Sequence, residues 1–205
     1  MDKKMFCFQC EQTVGCAGCT GNAGVCGKKA DTARLQDELT GALIGLARAV
    51  DSTTAISKRT GQIIIEGLFT TVTNVNFDDA SIENMIQKVR AEKDALVPGC
   101  SQCQSPCGRT DDYDMQQLWD ADEDIRSLRQ LIIYGLKGIS AYGHQARELG
   151  YFSDAVDDFY VEANEVDRLN LFFVLETSLH RFQRENRRKA AARCAFLMAY
   201  YLFVP

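Results

Sequence analysis

Residues 31–50, DTARLQDELTGALIGLARAV, carry leucines at helical intervals. The leucines with this spacing are Leu35, Leu39, Leu43 and Leu46. Because an α-helix turns once every 3.6 residues, their side chains lie on one face, and the segment is predicted to be an amphipathic helix. Asp31 or Thr32 is the predicted N-cap, since a short side-chain oxygen can accept a hydrogen bond from a free amide of the first turn.

The same periodicity predicts further helices. They cover residues 61–73, 79–97, 121–149, 154–164 and 169–193. The predicted apolar faces are Ile82, Met85, Ile86, Val89 and Leu96 in the 79–97 helix, and Ile125, Leu128, Ile132, Leu136 and Ile139 in the 121–149 helix. The only β-branched run, residues 63–65, lies inside a helical pattern. No strand is therefore predicted, and the predicted fold class is all-α.

A faint internal repeat suggests how these helices are grouped. Residues 31–46 and 124–139 align at a constant offset, with Gly45 opposite Gly138. A glycine in a helix interior is unfavourable, so this one is expected to allow close approach of another helix. The predicted architecture is two duplicated three-helix bundles preceded by a Cys-rich cluster-binding loop. Chance similarity between two amphipathic helices is the alternative.

The corresponding domain division has four parts. They are a Cys-rich loop at 1–30, for which the resemblance described below implies an iron–sulfur cluster, a first helical bundle at 31–99, a Cys-containing linker loop at 100–120, and a second helical bundle with a divergent tail at 121–205.

Composition narrows the class of protein. The 205 residues have a formal charge of −5, and 46% of them are hydrophobic, which is enough for a sizeable core. No basic stripe precedes residue 181, so nucleic acid is not the expected partner. No stretch reaches the roughly 20 apolar residues of a membrane helix. Since no apolar run follows residues 1–6, no secretory signal is predicted, and the expected location is the cytoplasm.

Cysteine is the unusual feature. Five of the nine cysteines lie between Cys7 and Cys26. In a reducing compartment such clusters are more often metal sites or catalytic than disulfide frameworks. Glycines at 15, 18, 21, 24 and 27 are expected to let the backbone wrap closely and present amide hydrogens to sulfur. Four nearby lysines are expected to favour thiolates; these are Lys3, Lys4, Lys28 and Lys29.

Spacing alone leaves the metal open. Thiolates suit either zinc or an iron–sulfur cluster. The zinc alternative would use the two C-x2-C pairs, Cys7, Cys10, Cys16 and Cys19, and would leave Cys26 unexplained. The other alternative, loop thiols without a ligand, is disfavoured by five cysteines in twenty residues.

A second group, Cys100, Cys103 and Cys107, is one ligand short of a closed tetrahedral site. Cys16 or Cys194 could supply the fourth ligand only if the fold brings it near. An auxiliary zinc or iron site and a redox-labile loop both remain open.

The acidic residues 111–114 are interpreted as a solvated turn, and His144 and His180 as packed or surface histidines.

Three segments near the amino terminus carry a family resemblance. FCFQCEQT at 6–13, GVCGK at 24–28 and DTARLQD at 31–37 resemble the amino terminus of the hybrid cluster proteins, the prismane proteins or hydroxylamine reductases. EGLFTTVTNVNFD at 66–78 and parts of 123–138 are similar too. The resemblance extends from about residue 5 to about residue 159. It implies a [4Fe-4S] cluster, or a [2Fe-2S] cluster in some members, held by Cys7, Cys10, Cys19 and Cys26, with Cys16 as a spare.

The resemblance also implies a function. Members of this family reduce hydroxylamine to ammonia and water, and nitric oxide to nitrous oxide. Their hybrid iron–sulfur–oxygen cluster is held by later α/β domains, for which this chain is too short, so no catalytic residue is assigned. The chain is expected to be the electron-transfer domain, with a redox protein as electron donor and the catalytic domains as further partners. The competing hypothesis is a zinc-stabilised helical interaction module without redox activity.

The resemblance ends after about residue 162. A basic segment at 181–189 and an apolar segment at 194–204 follow. A truncated or frame-shifted reading frame, or one part of a split protein, is the hypothesis for this departure. The alternative is a tail that packs normally on the helices.

Overall fold

A computed structural model describes residues 5–10, 18–50, 56–72, 76–96 and 111–164. All of them belong to one compact unit, Met1–Val166. The described residues form helices and no strand, which confirms the all-α prediction for this part of the chain. The helices are α1 (Ala30–Ala49), α2 (Lys58–Thr70), α3 (Asp79–Leu96), α4 (Met115–Trp119), α5 (Glu123–Glu148) and α6 (Asp154–Asn164).

Helix α1 agrees with the prediction except at its start. All four leucines of the predicted stripe are buried. The N-cap is Lys29, whose side chain makes no capping hydrogen bond, so the predicted cap at Asp31 or Thr32 is wrong. Asp31 lies in the first turn, where its charge still complements the helix dipole. The Thr32 hydroxyl instead donates to Asp79 Oδ1 (2.7 Å) at the start of α3.

Helix α2 begins three residues earlier than predicted, because Ser57 caps it by accepting a hydrogen bond from the Thr60 amide (3.0 Å). The predicted apolar face of α3 is buried except for Leu96, which ends the helix and is 37% exposed. Helix α4 was not predicted. It has five residues, too few for a periodicity signal, and Asp114 caps it through the Gln116 amide (2.9 Å).

Helix α5 is the longest described helix, and its buried face is shifted from the predicted one. Leu136 is buried as predicted, whereas Ile125 is 40% exposed. Lys137 and Ser140 join Ile133 and Leu136 on the buried face. Within the described ranges, no helix is long and apolar enough to cross a membrane.

One hydrophobic core joins helices from both predicted bundles. Buried residues of α1, α2 and α3 form most of it, and Leu136 of α5 with Tyr160 and Val161 of α6 complete it. Helices α1, α2, α3, α5 and α6 therefore share a core, and the duplication into two bundles stays a prediction. The helix predicted over 169–193 lies outside the described residues.

The repeat glycines do not have the expected neighbours. A Cβ on Gly45 would lie 2.9 Å from the Asp111 carbonyl oxygen, so this glycine accommodates the segment before α4 rather than a helix. A Cβ on Gly138 would meet no atom within 4 Å among the described residues. The expectation of close helix approach is therefore wrong at Gly45 and has no described neighbour to support it at Gly138.

The segment before α4 packs on α1 and α3 through its two central residues, Asp112 and Tyr113. Asp112 accepts hydrogen bonds from Lys93 Nζ (2.5 Å) and Arg90 Nε (2.9 Å) of α3. Although burial opposes it, these hydrogen bonds hold the pKa of Asp112 below its usual range. Tyr113 is buried, and its amide donates to the Gly41 carbonyl of α1 (3.0 Å). The interpretation of residues 111–114 as a solvated turn is therefore wrong for Asp112 and Tyr113, whereas Asp111 and Asp114 are exposed.

Gly41→Ala is expected to lower the free energy of unfolding by about 1–3 kcal/mol, the usual cost of overpacking. The new methyl group would overlap the carbonyl oxygen of Tyr113, and backbone cannot move aside as a flexible side chain can. Urea unfolding followed by far-UV circular dichroism measures the change.

Gly138→Ala is the matched control, because it is the same substitution in a helix interior without a described neighbour. It is expected to stabilise the chain by up to about 1 kcal/mol through helix propensity. Equal effects of the two substitutions would contradict the proposed contact between Gly41 and Tyr113.

Candidate metal centre

The Cys7–Cys10 segment is fixed by aromatic packing. The rings of Phe6 and Phe8 lie 5.0 and 4.9 Å from that of Trp119, the last residue of α4. Phe8 is buried in a second core cluster that includes Ile133 of α5. The Tyr134 hydroxyl donates to the Phe8 carbonyl (3.3 Å). Helices α4 and α5 therefore hold the backbone between the two cysteines.

The structure pairs Cys7 with Cys19. The Cys19 amide donates to the Cys7 carbonyl (2.7 Å) and the Cys7 amide to the Cys19 carbonyl (3.1 Å), forming an isolated antiparallel bridge. Gly18 precedes this bridge with φ of +79°, and a Cβ there would lie 3.0 Å from the Phe6 ring. Directly opposed residues of such a bridge have their Cα atoms about 5.5 Å apart and their side chains on one face. The two thiols are therefore neighbours.

Cys26 lies in a tight turn beside a small apolar cluster that contains Met5, Cys7 and Ala33. The Gly27 amide donates to the Gly24 carbonyl, and the Gly24 amide to the Lys28 carbonyl, both at 2.8 Å. A Cβ on Gly24 would lie 3.4 Å from Cys26 Sγ and 3.3 Å from the Met5 methyl group. Met5 is clustered with Cys7. The amides of Gly24 and Gly27 bind carbonyl oxygens, so the expectation that glycine amides face sulfur is wrong for these two.

All four cysteines assigned as ligands are free thiols. Cys7 and Cys10 are buried, and Cys19 and Cys26 are half-buried. In the described ranges, no three or more His, Cys, Asp or Glu side chains approach closely enough to hold a metal ion. The structure thus brings Cys7 and Cys19 together without closing a four-thiol site, and the ligand set stays a prediction.

Other candidate residues fall outside the centre or outside the described chain. His144 stacks on Phe69 with ring centroids 4.5 Å apart, so of the two alternatives predicted for it, packed or surface, the structure favours the packed one. The candidates that lie outside the described residues are Cys16, Cys100, Cys103, Cys107, His180 and Cys194.

A buried polar group beside Cys7 and Cys10 was missed by the sequence analysis. Gln9 Nε2 donates to Asp37 Oδ1 (2.6 Å) and to the Ala33 carbonyl (3.0 Å), and Lys28 Nζ donates to Gln9 Oε1 (2.8 Å). Lys137 of α5 is buried against the same group. From the sequence, Lys28 is expected only to add charge beside the cysteines, and its hydrogen bond to Gln9 is not predicted. The burial of Lys137 could have been suspected from the sequence, because Lys137 adjoins Leu136 on the predicted apolar face of α5.

Burial dominates the electrostatics of this group. It raises the pKa of Asp37 to about 6, against the Gln9 hydrogen bond and the attraction of Lys137 and Lys28. It lowers the pKa of Lys137 to about 8, against the attraction of Asp37. Burial also raises the pKa of the Cys7 thiol. The backbone hydrogen bond at Gln9 and the charge of Lys28 lower this pKa, but by less than burial raises it. The expectation that nearby lysines favour the thiolate is therefore wrong for Cys7, because its desolvation outweighs their charge.

The donor chemistry fits a thiolate-bound metal group. Lys28 and Lys137 place two ammonium groups next to Cys7 and Cys10, with Asp37 as the nearby carboxylate. Uncompensated buried positive charge is unfavourable. A metal group held by four thiolates would supply negative charge, and soft sulfur donors are the ligands of iron–sulfur clusters and of structural zinc.

The raised pKa of Asp37 predicts a pH-dependent stability for the chain without metal. Between about pH 4 and pH 6 the folded state keeps a proton on Asp37 that the unfolded state has lost. The free energy of unfolding is therefore expected to fall as pH rises through this window, by up to about 3 kcal/mol. Asp37→Asn is expected to remove this fall, as measured by urea unfolding at several pH values.

Asp94→Asn, which removes a carboxylate from an exposed position of α3, is the control for that series. It is expected to keep the fall seen in the unsubstituted chain. Parallel pH profiles for Asp37→Asn and the unsubstituted chain would contradict the raised pKa of Asp37.

Comparison with known proteins relates this chain to a family over a longer stretch than the described residues. Residues 5–172 match the Prismane/CO dehydrogenase family. A hydroxylamine reductase of Porphyromonas gingivalis is 39% identical over 178 residues, and one of Methanococcus vannielii is 37% identical over 180 residues. Each alignment covers 78% of this chain and 32% of the relative. A hydroxylamine reductase of Desulfovibrio desulfuricans is 36% identical over 186 residues. The chain thus spans about a third of the length of these relatives.

Proposed function

Because the chain belongs to the Prismane/CO dehydrogenase family, we propose that it is an iron–sulfur electron-transfer domain of a hybrid-cluster-type oxidoreductase. Its role is to accept single electrons from a redox protein and pass them to a catalytic centre in other domains. The observation that carries this proposal is the bridge between Cys7 and Cys19 beside a buried, positively charged group.

The residues proposed to hold the cluster are Cys7, Cys10, Cys19 and Cys26. A [4Fe-4S] cluster is proposed first and a [2Fe-2S] cluster second; either supplies one-electron chemistry when bound. The chain's own contribution is positioning and shielding. Tyr134 holds the backbone between Cys7 and Cys10, and the rings of Phe6, Phe8 and Trp119 pack against that segment.

The reaction of the complete protein is proposed by relationship. The relatives are named hydroxylamine reductases. Reduction of hydroxylamine takes two electrons and two protons, breaks the N–O bond and yields ammonia and water. Reduction of nitric oxide to nitrous oxide is the second proposed reaction. The hybrid iron–sulfur–oxygen cluster is proposed to lie in the regions of a full-length member that this chain, which covers 32% of one such relative, does not span. A reducing, cytoplasmic location is proposed, since the described cysteines are free thiols.

Anaerobic reconstitution tests the proposal. The purified chain is incubated with iron and sulfide, and iron, sulfide and zinc per chain are measured with an EPR spectrum after dithionite reduction. Near-equal iron and sulfide, about four of each for a cubane cluster, with a reducible signal are expected. About one zinc without sulfide would overturn the proposal and leave the zinc-stabilised interaction module.

A further inference from the structure

Lys137 occupies an unusual place for a lysine. It lies on the inward face of α5, and only 6% of it is exposed. It lines a cavity of about 10 Å³, room for about one water molecule, together with Phe8, Gln9 and Asp37. The ion pairs among the described residues do not include it. Burial of an ammonium without a direct ion pair is unfavourable, so its charge requires a nearby anion.

The surroundings of Lys137 define where such an anion lies. Asp37 attracts Lys137 and Lys28 repels it. Cys7 and Cys10 also act on Lys137, and they would carry negative charge as thiolate ligands of a metal. Tyr134, one turn earlier on α5, donates to the Phe8 carbonyl between these two cysteines. Helix α5 thus faces the Cys7–Cys10 segment with two polar side chains three residues apart.

We propose that Lys137 is a positioning residue that supplies a buried positive counter-charge to the metal centre at Cys7 and Cys10 and thereby raises its reduction potential. The inference rests on the proposed function. Reduction adds one negative charge to the cluster, and a nearby positive charge in a low-dielectric site favours that product. Asp37 has the opposite sign and the opposite effect.

Lys137 is better suited to a test than Lys28. Lys28 binds Gln9 and lies two residues after Cys26, so its replacement would disturb the cysteine loop itself. Lys137 comes from a separate helix, and Lys137→Met keeps an unbranched side chain of nearly the same length while removing its charge. Asp37→Asn removes the opposing charge and keeps an oxygen that can accept the Gln9 hydrogen bond.

The experiment is an EPR-monitored redox titration of the reconstituted full chain at pH 7.5, with iron and sulfide measured for each variant. For Lys137→Met we expect about a tenfold lower ratio of reduced to oxidised cluster at the midpoint of the unsubstituted chain, which is ~59 mV for one electron. For Asp37→Asn we expect a shift to higher potential. Lys88→Met, which removes an exposed charge on α3, is the control and is expected to keep the potential of the unsubstituted chain.

The outcomes separate the two proposals. Failure of the unsubstituted chain to bind iron and sulfide overturns the proposed function. If Lys137→Met binds iron and sulfide but keeps the potential of the unsubstituted chain, only the role of Lys137 is overturned. The same holds if the potentials of Lys137→Met and Asp37→Asn shift in the same direction, because that pattern indicates a structural change and not a change in charge. If Lys137→Met does not bind the cluster, Lys137→Gln, which keeps a polar end group, is titrated in its place. A lowered potential in Lys137→Gln supports the counter-charge, and an unchanged or raised potential overturns it.

Discussion

Cys26→Ser is expected to abolish cluster binding by the reconstituted chain, whereas Cys16→Ser is expected to retain iron and sulfide. Serine replaces a soft thiolate by a hard hydroxyl, which suits iron in a sulfide cluster poorly. The loss in apparent iron affinity should exceed about 100-fold, the upper end of the loss caused by removing only an outer partner of a metal site. Iron and sulfide per chain after desalting, with the visible absorption of the cluster, measure the effect.

The pair of variants also distinguishes iron–sulfur from zinc binding. A zinc site built from the two C-x2-C pairs would need Cys16 and would be insensitive to Cys26. The reverse pattern, with Cys16→Ser losing metal and Cys26→Ser keeping it, would therefore contradict the ligand set Cys7, Cys10, Cys19 and Cys26. Cys7 is paired with Cys19 through a backbone bridge, and Cys7→Ser is expected to behave like Cys26→Ser.

Features that depend on local periodicity were predictable from the sequence. The leucine stripe of α1 and the faces of α3 follow from spacing alone, and both are buried almost as predicted. Helix starts were less predictable, because capping depends on backbone geometry. Thr32, a good cap by type, is committed to a hydrogen bond with Asp79, 47 residues away in the sequence.

Features that depend on contacts between distant segments were not predictable. Residues 111–114 look solvated in sequence, yet Asp112 is held by Arg90 and Lys93 of α3. The polar group around Gln9 joins residues from the cysteine loop, α1 and α5, and a lysine on an apolar helix face carries no signal of its partners. The cysteine motif carried the family resemblance, which the family match confirms, because ligand type and spacing are local properties of the chain. The ligand set itself stays a prediction.

Asp157→Ala is expected to lower the free energy of unfolding by about 3–5 kcal/mol, the cost of leaving one member of a buried ion pair without its partner. Arg147 Nη2 of α5 donates to Asp157 Oδ1 of α6. The Asp157 side chain is 2% exposed and that of Arg147 8% exposed. Arg147 would retain the face of the Phe152 ring, 5.3 Å away, which offsets only part of the loss.

The Arg147→Met, Asp157→Ala double variant is the control for charge. Because neither buried charge remains, we expect it to recover most of the stability lost in Asp157→Ala, as buried ion pairs can often be replaced by apolar residues. Urea unfolding of the single variants and the double variant measures the coupling between the two residues. A loss below about 1 kcal/mol in Asp157→Ala would instead indicate a pair that behaves as if solvent-exposed.

The two residues of this ion pair also contact α2, near the carboxyl end of α5. Arg147 Nη1 donates to the Lys58 carbonyl (3.4 Å), and a Cβ on Gly61 would lie 2.5 Å from Asp157 Cγ. The carboxylate therefore packs directly on the α2 backbone, and Gly61→Ala is expected to displace it. Since both substitutions remove the same contact, Gly61→Ala should cost less in the Asp157→Ala background than alone. Equal costs in the two backgrounds would show that Gly61 is constrained by something other than Asp157.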